Sequence, residues 1–367
     1  MQIDRRMIAH FDWLLFFLTL AFVGIGITTI YSANFNIAEG HAGMLPMRQA
    51  TWLGLGLIAM FAALSFDYHH IDRLVYPFYG AMLILLALVF VIGHSGGGSQ
   101  RWINLGFFRL QPSEPAKLAI VLLMAKYFQT DEPPKGYYLR DLWVPFALVG
   151  PLIFLTLIQP DLGTAIILAV VFISMVLMGG LRLRSFSILV GAGLAFLPIA
   201  WQFLKNYQRN RILTFLDPDR DPLGAGYHVI QSQIAIGSGK LFGKGFMHGT
   251  QNRLNFLPEQ HTDFIFAVFS EEWGLIGCAV LLLLYFVMIA YCLRVVQRAK
   301  DRFGALLVFG MIAIVFWHVA INIAMVSGIM PVVGVPLPMI SYGGSALASM
   351  MFAMGVIMNV SMRRFIF

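Results

Sequence analysis

The chain has 367 residues, 59% of them hydrophobic and only 12% charged, with a net charge of +7 and a mean hydropathy of +0.78. A soluble core of this size has no use for so much apolar surface, so lipid is the solvent for most of the chain. The basic excess is scattered over loops and forms no patch, which excludes nucleic-acid binding as its explanation.

A bilayer crossing takes about 20 apolar residues. Ten stretches fit, roughly 13–32, 49–66, 75–93, 113–128, 143–158, 162–179, 187–204, 264–293, 305–327 and 342–362. Segments 113–128 and 143–158 are short and interrupted by Lys or Pro. The first stretch is too long for a signal-peptide core and lacks a cleavage site, which predicts a retained helix. The expectation is an all-α polytopic membrane protein of about ten helices, with 1–367 as a single membrane domain. Lys and Arg in the short loops set the orientation. With the N-terminus in the cytoplasm, only Arg48, Arg101 and Arg109 fall in short outer loops, and both termini are cytoplasmic. Cys278 and Cys292 sit on one predicted helix and cannot bridge, and no Cys/His spacing suggests a metal site. The nine His are dispersed and read as interfacial or loop residues.

Polar clusters interrupt the apolar pattern in chain order. "SQRWINLGFFRLQPSEPAK" (99–117) alternates apolar residues with Arg101 and Arg109, as in a segment half-sunk in the interface. Ser113 is placed to cap the next helix and Glu114 lies in its first turn. Lys117 falls a turn inside the span, where a cation is either functional or snorkelling to the surface. In "QPDLGTA", Asp161 either caps the sixth helix or serves a site. Arg209 and Arg211 of "YQRNRILTF" form a pair suited to bidentate phosphate binding.

The long outer loop 205–262, between the seventh and eighth spans, carries seven Lys/Arg against four Asp/Glu. Its "GYHVIQSQIAIGSGKLFGKGF" suits a short helix on the membrane surface. The Asp217-Pro218 and Asp221-Pro222 pairs before it read as turns. "GSGKLFGKG" is not a phosphate loop. The first glycine position is Ile234 or Ser238, and Lys244 is followed by Gly245, not Ser or Thr. "FLPEQHTDFIFAVFSEEWGLIG" then places Glu259, Asp263, Glu271 and Glu272 at the mouth of the eighth span. Glu259 lies four residues before Asp263, on the same face if that stretch is helical, and its like charge would raise the proton affinity of Asp263; an ordinary solvated loop-end carboxylate is the other reading. At least one of Glu271 and Glu272 is expected to pair with a cation for structural reasons. "GIMPVVGVPLPMISYGGSA" is backbone that survives at membrane depth only when buried or lining a cavity. Carboxylates and cations on one face suit an anionic lipid-linked phosphate or diphosphate, with a base to activate a nucleophile and cations to stabilise the leaving group.

Six of these motifs, "QRWINLG", "QPSEPAKLA", "QPDLGTA", "DPLGAGYHVIQSQIAIGSG", "FLPEQHTDFIFAV" and "PVVGVPLPMISYGGSA", occur in order over nearly the whole chain. Together they resemble the SEDS family (shape, elongation, division and sporulation), with "VVGVPLP" and the "HTDFIFA" context nearest its elongation branch. Lys240 stands where such chains often have Gly, and Trp273 where they often have Leu.

The resemblance implies a peptidoglycan glycosyltransferase of the bacterial cytoplasmic membrane. Such an enzyme polymerises lipid II at the outer face beside a class B penicillin-binding transpeptidase and other membrane proteins of the elongation complex. It makes Asp263 the catalytic residue and assigns Arg101, Glu114, Lys117, Asp161, Arg209 and Glu259 to the substrate cavity. No protein-held metal is implied; a divalent cation, magnesium or manganese, is the one cofactor left open. A lipid II translocase and a non-catalytic scaffold for the transpeptidase are the alternative readings.

Overall fold

The computed structural model describes residues 10–36, 41–96, 99–104, 106, 109–130, 136–204, 206–217, 225–253 and 259–364. The Asp217-Pro218 and Asp221-Pro222 turns expected from sequence fall outside them. The chain is built of helices: α1 Trp13–Ala33, α2 Leu45–Ser65, α3 Tyr68–Ile92, α4 Ser113–Thr130, α5 Trp143–Ile158, α6 Leu162–Met178, α7 Leu183–Phe203, α8 Asn206–Leu216, α9 Ala225–Ser238, α10 Ile265–Gln297, α11 Arg302–Val326 and α12 Gly344–Arg363. Among the described residues five short strands lie between helices: β1 Phe35–Asn36 pairs antiparallel with β2 His41–Ala42, and β3 His94–Gly96, β4 Ser99–Asn104 and β5 Arg109–Leu110 form a three-stranded antiparallel sheet.

Among the described residues seven helical segments are long and apolar enough to cross a membrane: α1, α2, α3, α5 with the 3₁₀ turn before it, α10, α11 and α12. The apolar runs of α6 and α7 are shorter. Helix α4 carries Glu114, Lys117 and Lys126, yet it is buried continuously from Ala116 to Ala125. It packs against α3, α6, α11 and α12. A helix surrounded on every side is apolar all round and tolerates charge only where the charge is paired.

Carboxylates punctuate the helix starts. Asp12 caps α1, Asp67 caps α3, Asp161 caps α6 and Asp301 caps α11, each accepting a backbone N–H of the first turn. One end of the bundle is tied by Arg363 to Asp67 at 3.2 Å, Ser361 Oγ to Asp12 at 2.7 Å, and Arg302 to the Gly179 carbonyl at 3.1 Å. The opposite end collects the end of α1, the starts of α4, α6, α10 and α12, and the loop 331–343. Helix α7 differs from the rest, being exposed along almost its whole length.

Helix α10 is two half-helices meeting at Gly274, whose φ of 64° and ψ of −165° no residue with a side chain holds easily. The loop after α9 fills the break. Leu275 N and Ile276 N donate to the carbonyls of Lys240 and Leu241, while Lys244 N and Gly245 N donate to those of Glu271 and Glu272. Glu271, fully buried, accepts from Lys244 Nζ at 2.6 Å, Thr250 N at 2.8 Å, Thr250 Oγ1 at 3.0 Å and Gln251 N at 3.2 Å. Glu272 accepts from Met247 N at 3.2 Å and from Ser32 of α1. Both glutamates of "SEEWG" thus hold the loop to the break. Helix α9, expected on the membrane surface, docks on the bundle through Ser232 Oγ, which donates to the Val326 carbonyl at 2.8 Å.

Candidate active site

Asp263 ends a tight turn just before α10. Thr262 N donates to the Glu259 carbonyl at 3.1 Å, with Glu259 at a φ of 48°. The turn is locked to loop 331–343 by two bonds and to α11 by a third. Tyr342 N donates to the His261 carbonyl at 2.8 Å, Ser341 Oγ to that of Thr262 at 2.6 Å, and Asn322 Nδ2 to that of Asp263 at 2.9 Å. The same Asn322 Nδ2 holds the Val335 carbonyl at 2.7 Å. The loop itself is buried at Val335, Leu337, Met339 and Ile340, as irregular backbone at membrane depth must be. Gly334, with φ of 76°, lies so close that a Cβ there would sit 3.2 Å from Asp263 Oδ2.

The other motifs converge on the same loop. At the start of α6, Gly163 packs on the carbonyl of Val333. Ser345, at the start of α12, accepts from Gln111 N at 3.2 Å and donates to the Arg109 carbonyl at 3.1 Å. Asp161 does two jobs: Oδ1 caps α6 through Thr164 N at 3.2 Å and meets Arg101 Nη1 at 3.5 Å, while Oδ2 accepts from Thr164 Oγ1 at 2.9 Å and Gln111 Nε2 at 3.2 Å. Arg101 also donates to the Pro160 carbonyl, and its Nε is buried without a hydrogen-bond partner. Ser113, expected as a cap, is instead the first helical residue of α4, and its hydroxyl turns to Asp161 at 3.4 Å.

These charges meet at Asp263. The residue keeps some accessible surface, yet its carboxyl is densely surrounded. Burial first, then the negative Glu259 and more weakly Asp161, push it up to about 6, while the guanidiniums of Arg211 and Arg101 pull the other way. His261 is lowered by burial, against the pull of Glu259. A carboxylate near 6 is poised to take a proton at neutral pH, with two cations at hand for a departing anion.

The structure therefore brings Asp263, Glu259, Arg101 and Asp161 together, and it adds Arg211. Arg209 points elsewhere, donating to the carbonyls of Trp201 at 3.1 Å and Gln202 at 2.7 Å and so closing the end of α7. Glu114 and Lys117 pair with each other at 2.8 Å below the site, both buried. Two residues escaped the sequence reading, Asn322 and His318. Their signal was faint, two polar residues four apart in a long apolar run.

A helical membrane bundle with a paired carboxylate–guanidinium site at one end defines a polytopic membrane protein with polar chemistry at the bilayer boundary. Residues 12–365 match the cell cycle protein family FtsW/RodA/SpoVE. The peptidoglycan glycosyltransferase MrdB of Escherichia coli K12 is 42% identical over 97% of this chain and 94% of its own, and MrdB of Helicobacter pylori is 36% identical over 100% and 94%. Among solved structures, a peptidoglycan synthase complex that coordinates polymerization and crosslinking aligns with TM-score 0.81 at 34% identity, covering 97% of this chain and 99% of the other. RodA of Thermus thermophilus aligns with TM-score 0.72 at 31% identity, covering 97% and 98%. The chain belongs to the SEDS family, and it is a multi-pass protein of the bacterial inner membrane.

Proposed function

We propose that the chain polymerises lipid II into β-1,4-linked glycan at the outer face of the cytoplasmic membrane during cell elongation, with Asp263 as general base. The observation that carries this reading is the Asp263 carboxyl, raised to about 6 and flanked by the charges of Arg101 and Arg211. Asp263 takes the proton of the C4 hydroxyl on the acceptor's N-acetylglucosamine. The freed oxygen attacks C1 of the donor's N-acetylmuramic acid, the bond to undecaprenyl diphosphate breaks, and the α-linked centre inverts to β. An inverting glycosidase needs a second carboxylic acid for its leaving group. A diphosphate departs as a stable anion, and Arg101 and Arg211 offset its charge. A divalent cation, magnesium or manganese, is the cofactor this reading leaves open.

Adding α4, α6 and α7 to the seven long spans gives ten crossings. An even number puts both termini on one side, and the loop positive charges make that side cytoplasmic. The segment between α7 and α10, and the site with it, is then extracytoplasmic. The exposed flank of α7 supports lateral entry of the polyprenyl tail from the bilayer. The partner in this reading is a class B penicillin-binding transpeptidase, as the family neighbour built for polymerization and crosslinking suggests, within the elongation complex. Purified protein given lipid II in vesicles tests it: glycan polymer supports the proposal, flipped monomer means a translocase, and neither means a scaffold.

A further inference from the structure

Beneath the site lies a buried polar cluster that the chemistry above does not use. Lys117 on α4 and His318 on α11 are each 2% exposed. Two acceptors hydrogen-bond to the Lys117 ammonium, Glu114 Oε1 at 2.9 Å and His318 Nε2 at 2.9 Å, while Glu114 Oε2 makes an ion-pair contact at 2.8 Å. The ammonium is thus held between a carboxylate of its own helix and an imidazole of α11. The other imidazole nitrogen, Nδ1, lies 2.8 Å from the Ile314 carbonyl. A carbonyl only accepts, so Nδ1 carries the proton and Nε2 offers its lone pair to Lys117. The imidazole is neutral, since a second proton would face the ammonium.

This cluster joins the two halves of the site. One turn along α4 from Lys117, Ser113 meets Asp161, the partner of Arg101. One turn along α11 from His318, Asn322 holds the backbone of Asp263. The contact between Lys117 and His318 is where the helix supporting the cations is fixed to the helix supporting the base.

We propose that His318 is a positioning residue: its neutral imidazole is the acceptor that ties Lys117 of α4 to α11, and this bond sets the spacing between the Arg101–Asp161 pair and Asp263. The proposal rests on the glycosyltransferase reading. A misplacement of about 1 Å at a reacting centre costs on the order of 10²-fold in rate, so a slip between α4 and α11 appears in turnover before it appears in folding.

Two amide variants separate this role from packing. Gln reaches the Nε2 position and keeps an acceptor for Lys117. Asn keeps the contact with Ile314 and falls short of Lys117. The measurement is kcat and KM for lipid II polymerisation by purified parent, His318→Gln and His318→Asn, with melting temperatures in the same detergent. The expected result is His318→Gln within about 3-fold of the parent and His318→Asn at least about 10-fold lower in kcat, with KM and melting temperature little changed. His318→Asn at the parental rate, His318→Gln as impaired as His318→Asn, or losses that follow the melting temperature would overturn the proposal. Polymer made by the parent in the same assay separates a failure of this proposal from a failure of the glycosyltransferase reading, since an inactive parent sinks only the latter.

Discussion

A base that loses its charge near pH 6 imposes a specific acid limb on the reaction. With Asp263 held at about 6, it is roughly 90% ionised at pH 7 and roughly 10% at pH 5, whereas at the ordinary 3.8 it would still be above about 90% at pH 5. The sign is fixed: the raised group loses its base form as pH falls through 6. Polymerisation by purified protein should therefore drop about tenfold between pH 7 and pH 5. Glu259→Gln is the perturbation that tests the cause. Glu259 is exposed, so its removal leaves packing intact while taking away the leading negative charge acting on Asp263. The limb should move to lower pH, and the ratio of the rate at pH 5 to that at pH 7 should rise. Rates can be followed by gel separation of glycan products from fluorescent lipid II across the pH range, with Glu259→Gln beside the parent. A parental rate that stays flat down to pH 4.5, or a limb that Glu259→Gln moves upward, would refute this electrostatic account of Asp263.

The helix break makes a stability prediction. Glu271→Ala leaves Lys244 Nζ, Thr250 N and Gln251 N without their buried acceptor. Breaking a buried pair costs about 3–5 kcal/mol, and the lower end applies because the Lys244 side chain is 27% exposed. The checks are a lower melting temperature and faster proteolytic cleavage within 239–253; an unchanged melting curve would show that the carboxylate does not hold the loop. Lys240 has a φ of 51°, a conformation that costs a side-chain-bearing residue about 1–2 kcal/mol and glycine almost nothing. Lys240→Gly should leave activity within about 2-fold and stability equal or higher by up to about 1 kcal/mol, after the greater freedom of glycine in the unfolded chain. A large loss of polymerisation would show that the Lys240 charge is used.

How much of this was legible in the sequence depends on which forces decide each feature. Membrane spans follow from local hydropathy, so 13–32 and 143–158 fell within a residue of α1 and α5. Helix α4, like α5, looked weak as a span, and in α4 the charges Glu114 and Lys117 depress the hydropathy. Their mutual pairing, which makes burial tolerable, is visible only in three dimensions. The break at Gly274 was hidden within one expected span, 264–293, since it depends on a loop some 30 residues earlier in the chain supplying the missing backbone partners. Arg209 and Arg211 are two residues apart and chemically alike. Which of them turns toward Asp263 is set by how α8 meets α7, and nothing local encodes that. His318 carried no spacing signal of its own, because its partner Lys117 lies 201 residues away.

The central claim is that the Asp263 carboxylate performs the proton transfer, and Asp263→Asn tests it with the least change of shape. The main anchors of this turn are backbone groups, the carbonyls of His261, Thr262 and Asp263, and the substitution spares all three. An amide cannot accept a proton at neutral pH, and losing a general base costs about 10²–10⁴-fold in rate. Purified Asp263→Asn protein should insert, melt at the parental temperature and bind lipid II, yet form no glycan polymer. Polymerisation of lipid II by this variant at a rate near the parent's would contradict the account.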